Sequence, residues 1–146
     1  MSLTGMYDKN NIFAKILRGD MPCVKVYEDE LVLAFMDVFP QSPGHTLVIP
    51  KTSSRTLFDA SAETLGPLIE TTQKIAQAVV DGLSPDGVII TQFNGAPAGQ
   101  TVFHLHFHII PKYTAVQTAP HAAGQMADTD LLAKHAALIS AHIKSN

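Results

Sequence analysis

Three histidines at alternate positions constrain this chain more than any other feature of its sequence. They fall within the segment 103–110, where His104, His106 and His108 are separated by single apolar residues. Side chains of a β-strand alternate between its two faces, so the three imidazoles would form a row with neighbours roughly 6.5–7 Å apart. We therefore predict a strand over residues 102–110 with a histidine face and an apolar face. The apolar face would comprise Phe103, Leu105, Phe107 and Ile109.

The hydrophobic pattern of the remaining chain predicts a sheet of about five strands and a few helices. Short apolar or alternating runs predict further strands at 24–27, 31–36, 45–50 and 88–93. Helical spacing of apolar residues predicts helices at 12–18, 61–83 and 130–144, of which the second is long and amphipathic. Because the strands are grouped and do not alternate strictly with helices, we expect an α+β fold, an antiparallel sheet packed against helices.

Composition excludes several classes of protein. Hydrophobic residues make up 46% of the chain and charged residues 16%, which excludes a disordered chain. The single Cys23 excludes an internal disulfide and a cysteine-based zinc site, and it favours a reducing compartment. A net charge of −3 argues against a nucleic-acid partner. Since no apolar run approaches the ~18 residues of a membrane span and residues 1–10 lack a signal-peptide core, we expect a cytoplasmic protein without a membrane partner.

The histidine row by itself leaves three interpretations open. It could be a strand with polar residues facing outwards, or a metal site, because His-x-His presents two imidazoles to one ion. Residues 87–113 contain no Asp, Glu or Cys, so further ligands would come from distant parts of the chain. The third interpretation is phosphate chemistry, in which neutral imidazoles act as nucleophile and proton donors. The preceding loop, 94–101, favours it, because its two glycines allow backbone N–H groups to converge on an anion.

Several motifs of this sequence resemble the histidine triad (HIT) family, most closely its small Hint-like and bacterial hydrolases. The alternating histidines with the upstream Gly99-Gln100-Thr101 are the most specific of them. The supporting matches are Pro43–Lys51, Asn94-Gly95, Ile12-Phe13, Lys15-Ile16 and Tyr27–Asp29. The resemblance implies a single HIT domain over 1–146, with its core at about 12–113 and a C-terminal loop and helix over 114–146. It also implies a homodimer with joined sheets, whose contact would involve the long helix and the strand at 88–93.

The resemblance further implies cleavage at the α-phosphorus of purine nucleotide conjugates, with AMP or GMP as the bound nucleotide. The conjugates would be phosphoramidates, dinucleoside polyphosphates or acyl-adenylates. The middle histidine, His106, would be the nucleophile and would carry a nucleotidyl intermediate. A hydrogen bond from its Nδ1–H to a backbone carbonyl would leave Nε2 available for attack. His104 would orient or relay, and His45 would join from a neighbouring strand.

The same resemblance assigns the residues that bind substrate. The phosphate oxygens would be held by His108 with Asn94, Gln100 and Thr101. The ribose hydroxyls would be held by Asp37, with Val38 beside it. The base would lie in an apolar slot formed by Phe13, Ile16, Met21, Phe35 and Leu47.

One departure from the family pattern and one difference from a branch of the family are informative. Many bacterial members carry Cys-x-x-Cys, which serves a structural zinc, where this chain has Asn11–Ala14, so we expect neither zinc nor another cofactor. The third triad position is His108, whereas the nucleotidyl-transferase branch has Gln there, which favours a hydrolase. Two alternatives remain: a nucleotide-binding scaffold protein whose turnover is incidental, and a metalloenzyme.

Overall fold

A five-stranded antiparallel sheet forms the centre of the computed structural model, which describes residues 3–115 and 126–144. The strand order is β1-β2-β3-β5-β4. The strands are β1 (Lys25–Glu28), β2 (Val32–Met36), β3 (Thr46–Pro50), β4 (Gly87–Thr91) and β5 (Phe107–Lys112). The helices are α1 (Ile12–Leu17), α2 (Ala62–Leu83) and α3 (Thr129–Ser140), and two short 3-10 turns span Leu57–Asp59 and Ala96–Ala98. The predicted α+β class with one long helix and shorter terminal helices is confirmed.

Side chains in the first turn define where the helices begin. The Asn11 side chain accepts a hydrogen bond from the Ala14 N–H, and Ser61 accepts one from the Thr64 N–H. Both satisfy amide groups that the first turn of a helix leaves without partners. The long helix α2 ends at Ser84, which adopts a left-handed conformation with φ 53°. Among residues 3–115 and 126–144, no helix combines the length and hydrophobicity needed to cross a membrane.

The sheet is covered on both faces, and the alternation along β2 divides the core in two. Val32, Ala34 and Met36 belong to the main cluster, into which α2 and α3 also contribute. Leu33 and Phe35, which point to the opposite face, belong to a second cluster. The other members of that second cluster are Phe13 from α1 and Leu47 and Ile49 from β3. The sheet therefore lies between α2 with α3 on one face and α1 on the other.

The predicted strand over 102–110 was wrong at both ends, since β5 begins at Phe107 and continues to Lys112. Before Phe107 the backbone groups form hydrogen bonds outside the sheet. The Leu105 N–H donates to the Ser54 carbonyl, and the Val102 carbonyl accepts from the Gln100 side chain. Pro111, the residue after the predicted strand, lies inside β5. The pairing of β5 with β3 ends at Ile109. Pro111 lies beyond this point, where the edge of β5 on the β3 side needs no N–H donor.

Other boundaries differ by a few residues. The strand predicted at 88–93 is β4, which covers 87–91, and the helix predicted at 130–144 is α3, which covers 129–140. Neither 3-10 turn was predicted. Most of the loop predicted over 114–127 lies outside the described residues, since the structure does not describe 116–125.

Candidate active site

His45 and His108 form a buried hydrogen-bonded pair across the sheet. His108 lies on β5 opposite Leu47 of β3, and His45 directly precedes β3. The His45 Nε2 and His108 Nδ1 atoms are 2.9 Å apart, and the Gln41 backbone N–H donates to His45 Nδ1 at 3.0 Å. Because an amide N–H can only donate, neutral His45 carries its proton on Nε2 and donates it to His108 Nδ1. Neutral His108 consequently carries its own proton on Nε2.

The side chain of His106 has the tautomer expected of a nucleophile. Its Nδ1–H donates to the His104 carbonyl at 2.6 Å, which is the backbone hydrogen bond predicted from the sequence. The basic lone pair of the neutral ring therefore lies on Nε2. The rings of His106 and His108 are 5.0 Å apart between centroids, and the Phe13 ring meets His106 edge-on at 4.9 Å.

His104 has different hydrogen-bond partners from the other two histidines, although its ring meets Phe13 edge-on as that of His106 does, with centroids 6.4 Å apart. Its ring is fully buried, with Nε2 2.8 Å from the Pro50 carbonyl and Nδ1 2.5 Å from the Tyr7 hydroxyl. Burial lowers its pKa below the ordinary 6.5, outweighing the opposing effects of the Pro50 carbonyl and the Asp59 charge. The neutral ring is therefore favoured, with Nε2–H donating to Pro50. The sequence analysis missed Tyr7, because a single tyrosine in a polar segment carries no local signal.

The loop at 94–101 is held by the amide side chains that the sequence analysis assigned to phosphate. Gln100 is buried; its Oε1 accepts from the Gly95 N–H at 2.8 Å, and its Nε2 donates to the carbonyls of Arg55 and Val102. Asn94 Oδ1 accepts from the Leu57 N–H at 2.9 Å. Both amides shape the loop, so a direct phosphate contact by either stays a prediction. Thr101 is exposed, and its phosphate contact also stays a prediction.

Asp37 is joined to the histidine pair by the tertiary structure. Its Oδ1 accepts from the Phe39 N–H at 2.8 Å, and its Oδ2 lies 3.4 Å from His45 Nε2. Val38, the next residue, packs against the main core cluster, and its carbonyl accepts from the Ala127 N–H. The carboxylate therefore lies beside His45, while the position of a ribose stays a prediction.

Four of the five residues predicted for the base slot come together, and one does not. Phe13, Phe35 and Leu47 are members of the second core cluster, and Ile16 packs against it. Through its ring contact with His106, Phe13 joins this cluster to the candidate site. Met21 lies outside the cluster and is 38% exposed. A contact of Met21 with the base stays a prediction.

One group of side chains could coordinate a metal ion within the described residues. Asp37, His45 and His108 each offer one ligand atom, and these atoms lie within 4.8 Å of one another. The sequence analysis looked for carboxylate ligands only within residues 87–113, whereas folding brings one from residue 37. Two of the three atoms share a hydrogen bond, so an ion would have to displace its proton. The expected absence of zinc stays a prediction.

Comparison with known proteins gives consistent matches. The HIT domain family model matches residues 18–115. The protein hit of Bacillus subtilis is 48% identical over 105 residues, covering 72% of each chain. The adenosine 5'-monophosphoramidase hnt1 of Schizosaccharomyces pombe is 44% identical over 101 residues, covering 69% of this chain and 73% of its own. A solved HIT-like protein of Bartonella henselae superposes with a TM-score of 0.89 at 51% identity, covering 94% of this chain and 99% of that one.

Proposed function

This chain belongs to the histidine triad (HIT) family, and on that premise we propose that it hydrolyses purine nucleotide conjugates at the α-phosphorus. The observation that carries the proposal is the hydrogen bond from His106 Nδ1–H to the His104 carbonyl, which gives Nε2 the lone pair required for attack. The relative from Schizosaccharomyces pombe is named an adenosine 5'-monophosphoramidase, which supports adenosine phosphoramidates as the first substrates to test. Dinucleoside polyphosphates and acyl-adenylates have the same α-phosphorus and are the next candidates.

The reaction would proceed in two displacements at phosphorus. His106 Nε2 attacks the α-phosphorus, a nitrogen–phosphorus bond forms, and the bond to the leaving group breaks. The His106 Nδ1–H remains hydrogen-bonded to the His104 carbonyl, and this bond stabilises the positive charge that develops on the imidazole. The leaving group takes up a proton from solvent as it departs. Water then attacks the same phosphorus, gives up a proton to solvent, displaces neutral His106 and releases the nucleoside monophosphate. Neutral His108 donates from Nε2 to a phosphate oxygen in both steps, because its Nδ1 accepts from His45.

The nucleotide would bind on the side of the sheet where Asp37 and the second core cluster lie. The Asp37 carboxylate can accept hydrogen bonds from both ribose hydroxyls, since each of its oxygens has two lone pairs. Phe13 contacts His106 directly and packs with Phe35 and Leu47, so an apolar base placed there would lie next to the nucleophile. The nucleotide that we propose for this arrangement is a purine mononucleotide such as AMP or GMP. We expect the protein to act in the cytoplasm, where nucleotides are abundant.

We also propose that the protein is a homodimer. The strand β4 is at the edge of the sheet, and its Ile89 and Ile90 are largely exposed. Beside them, the α2 side chains Ile69 and Val80 are exposed as well and line the same groove as Val88 and Ile90. An apolar edge strand left in water favours association, and a second copy placed edge to edge would join the two sheets.

A substitution at His106 tests the enzyme proposal. His106→Asn should reduce hydrolysis of adenosine phosphoramidate by roughly three orders of magnitude or more, because both displacements pass through its nitrogen. The variant should retain AMP binding, measured by calorimetry. Parent enzyme denatured during turnover at alkaline pH should carry nucleotide label on His106, located by mass spectrometry.

His142→Asn, at an exposed histidine of the C-terminal region, is the matched control and should turn over like the parent. Near-parent hydrolysis by His106→Asn, or label on another residue, would show that the assigned mechanism is wrong. A parent that binds AMP tightly but turns over no conjugate would favour the nucleotide-binding scaffold.

A further inference from the structure

The first described residues of the chain, Leu3 to Tyr7, lie against the candidate site at three places, and we call them the N-terminal strap. A Cβ placed on Gly95 of the phosphate loop would lie 3.2 Å from Leu3 Cδ2. A Cβ placed on Gly5 would lie 3.8 Å from the buried Arg55 guanidinium. At the third place the Tyr7 hydroxyl meets His104 Nδ1. A segment with no helix or strand of its own is thus packed on the loop and on the triad.

The contact between Tyr7 and His104 fixes one side of a fully buried ring. The Pro50 carbonyl can only accept, so it takes the Nε2–H of neutral His104, and Nδ1 accepts the proton of the Tyr7 hydroxyl. The two rings also meet edge-on, with centroids 5.6 Å apart. His104 is therefore held between the N-terminal strap and the end of β3, with both nitrogens engaged by protein groups.

The position of His104 matters because its carbonyl holds the nucleophile. The His106 Nδ1–H donates to this carbonyl at 2.6 Å, yet residue 104 precedes β5 and has no place in the sheet ladder. Residues inside a strand are fixed by backbone hydrogen bonds to the neighbouring strands. The peptide that bears this carbonyl is held by the bond from the Leu105 N–H to the Ser54 carbonyl. The two bonds of the imidazole ring hold the side chain of residue 104, and a rotation of the residue would move the acceptor away from His106.

We propose that Tyr7 is a positioning residue of the triad, acting through His104 to keep His106 in its nucleophilic tautomer and orientation. The effect that we expect on the reaction rate rests on the proposed function. The effect that we expect on the positions of His104 and His106 rests on geometry alone. It also assigns His104 a purely orienting role, because neither of its ring nitrogens is available to relay a proton to substrate.

The test removes only the hydroxyl. Tyr7→Phe in the full chain should slow single-turnover labelling of His106 by about fivefold to tenfold, while the AMP dissociation constant stays within twofold of the parent. Tyr27→Phe is the matched control, since the hydroxyl of Tyr27, a residue of β1, donates to Asp29 just after that strand, far in the chain from the triad. It should label at the parent rate.

A double-mutant cycle separates positioning from a general loss of structure. His104→Gln has no Nδ1 to accept from Tyr7, so adding Tyr7→Phe to it should cause less than a twofold further loss. In the ¹⁵N NMR spectrum of Tyr7→Phe, the His104 Nδ1 signal should move downfield, and the His106 Nδ1–H should exchange faster with solvent. The spectra need no activity and test the inference even if no conjugate is hydrolysed.

Three results would overturn the inference while leaving the proposed function intact. The first is parent-like labelling by Tyr7→Phe with unchanged histidine signals. The second is an equal effect of Tyr7→Phe in the parent and in His104→Gln. The third is a loss of labelling matched by an equal loss of AMP affinity. Failure of the parent to hydrolyse any conjugate would instead overturn the proposed function.

Discussion

At the scale of single residues, backbone groups determine which nitrogen of each site histidine carries the proton. The Gln41 amide can only donate and the carbonyls of Pro50 and residue 104 can only accept, so they set the tautomers of His45, His104 and His106. The tautomer of His108 follows from that of His45, whose Nε2–H donates to His108 Nδ1. Backbone groups do not titrate, so each keeps its role as donor or acceptor at any pH. The chemistry proposed for the site depends on it.

Asp37 offers a direct test of the sugar site. Asp37→Asn keeps an oxygen for the Phe39 N–H but loses the charge that would accept the ribose hydroxyls. Charge-assisted hydrogen bonds contribute ~1.5–3 kcal/mol, so AMP affinity should fall about tenfold or more. Calorimetry with AMP and with its 2′,3′-dideoxy analogue measures both affinities. The parent should prefer AMP, and the variant should bind the two nearly equally; a parent that does not discriminate would place the sugar elsewhere.

The buried His104 should make the protein less stable in acid. Its folded-state pKa lies below 6.5, so in the pH range under 6.5 the unfolded chain binds a proton that the folded chain does not. The free energy of unfolding should therefore fall as the pH is lowered from about 6.5 towards the folded-state pKa. In urea titrations across this range, His104→Gln should show a shallower pH dependence than the parent, whatever its stability at neutral pH.

His142→Gln, which replaces an exposed histidine, is titrated alongside to distinguish the loss of the buried imidazole from the loss of any imidazole. If His104→Gln showed the same slope as the parent, proton uptake by other groups would account for the acid sensitivity.

At the scale of elements, the turn into β3 depends on the end of α2. Gly44 has φ +94°, and a Cβ placed on it would lie 2.3 Å from Leu83 Cδ1. Gly44→Ala combines left-handed strain with overpacking and should lower the free energy of unfolding by about 2–4 kcal/mol. Gly19→Ala, with φ +84° but nothing within 4 Å, should lose only the strain, about 1–2 kcal/mol. Urea unfolding compares them, and equal losses would mean that Leu83 moves aside freely.

The histidine segment shows how an element can end earlier than its pattern suggests. Alternation continues from residue 103 to 110, but the partner strand β3 pairs with β5 only through Thr46, Leu47 and Val48. The carbonyl of Ser54 and the side chain of Gln100 take the backbone groups that a longer ladder would use. The apolar side of the prediction was right for Leu105 and Ile109, which are buried in the main cluster.

At the scale of the whole molecule, the exposed face of α2 and β4 predicts self-association. The parent should elute as a dimer in size-exclusion chromatography with light scattering at micromolar concentration. Ile90→Glu puts a charge into the apolar edge and should shift the protein to monomer. Leu131→Glu alters a similarly exposed residue on α3, away from this face, and should remain dimeric. A monomeric parent, or an Ile90→Glu variant that stays dimeric, would contradict the prediction.

The sequence by itself determined which helices and strands form and which residue types could carry the chemistry. Hydrophobic periodicity and helix caps act between residues a few positions apart. The α+β class, the long helix that begins after Ser61 and the apolar residues that alternate with the histidines could therefore be predicted from local sequence. The bond from His106 to a backbone carbonyl was expected only with the family resemblance, and the structure identifies the acceptor as the His104 carbonyl.

Only the tertiary structure decided which distant groups meet these histidines. Tyr7 and His104 are 97 residues apart in the chain, and His45 and His108 are 63 apart. No local pattern encodes such pairs; they follow from the strand order, which places β3 beside β5, and from the path of the N-terminal strap. The same holds for Asp37, which approaches His45 across a turn, and for Met21, which folding leaves at the surface. Hydrogen bonds are short-ranged and directional, so residue types could be named from the sequence, whereas their partners required the packed chain.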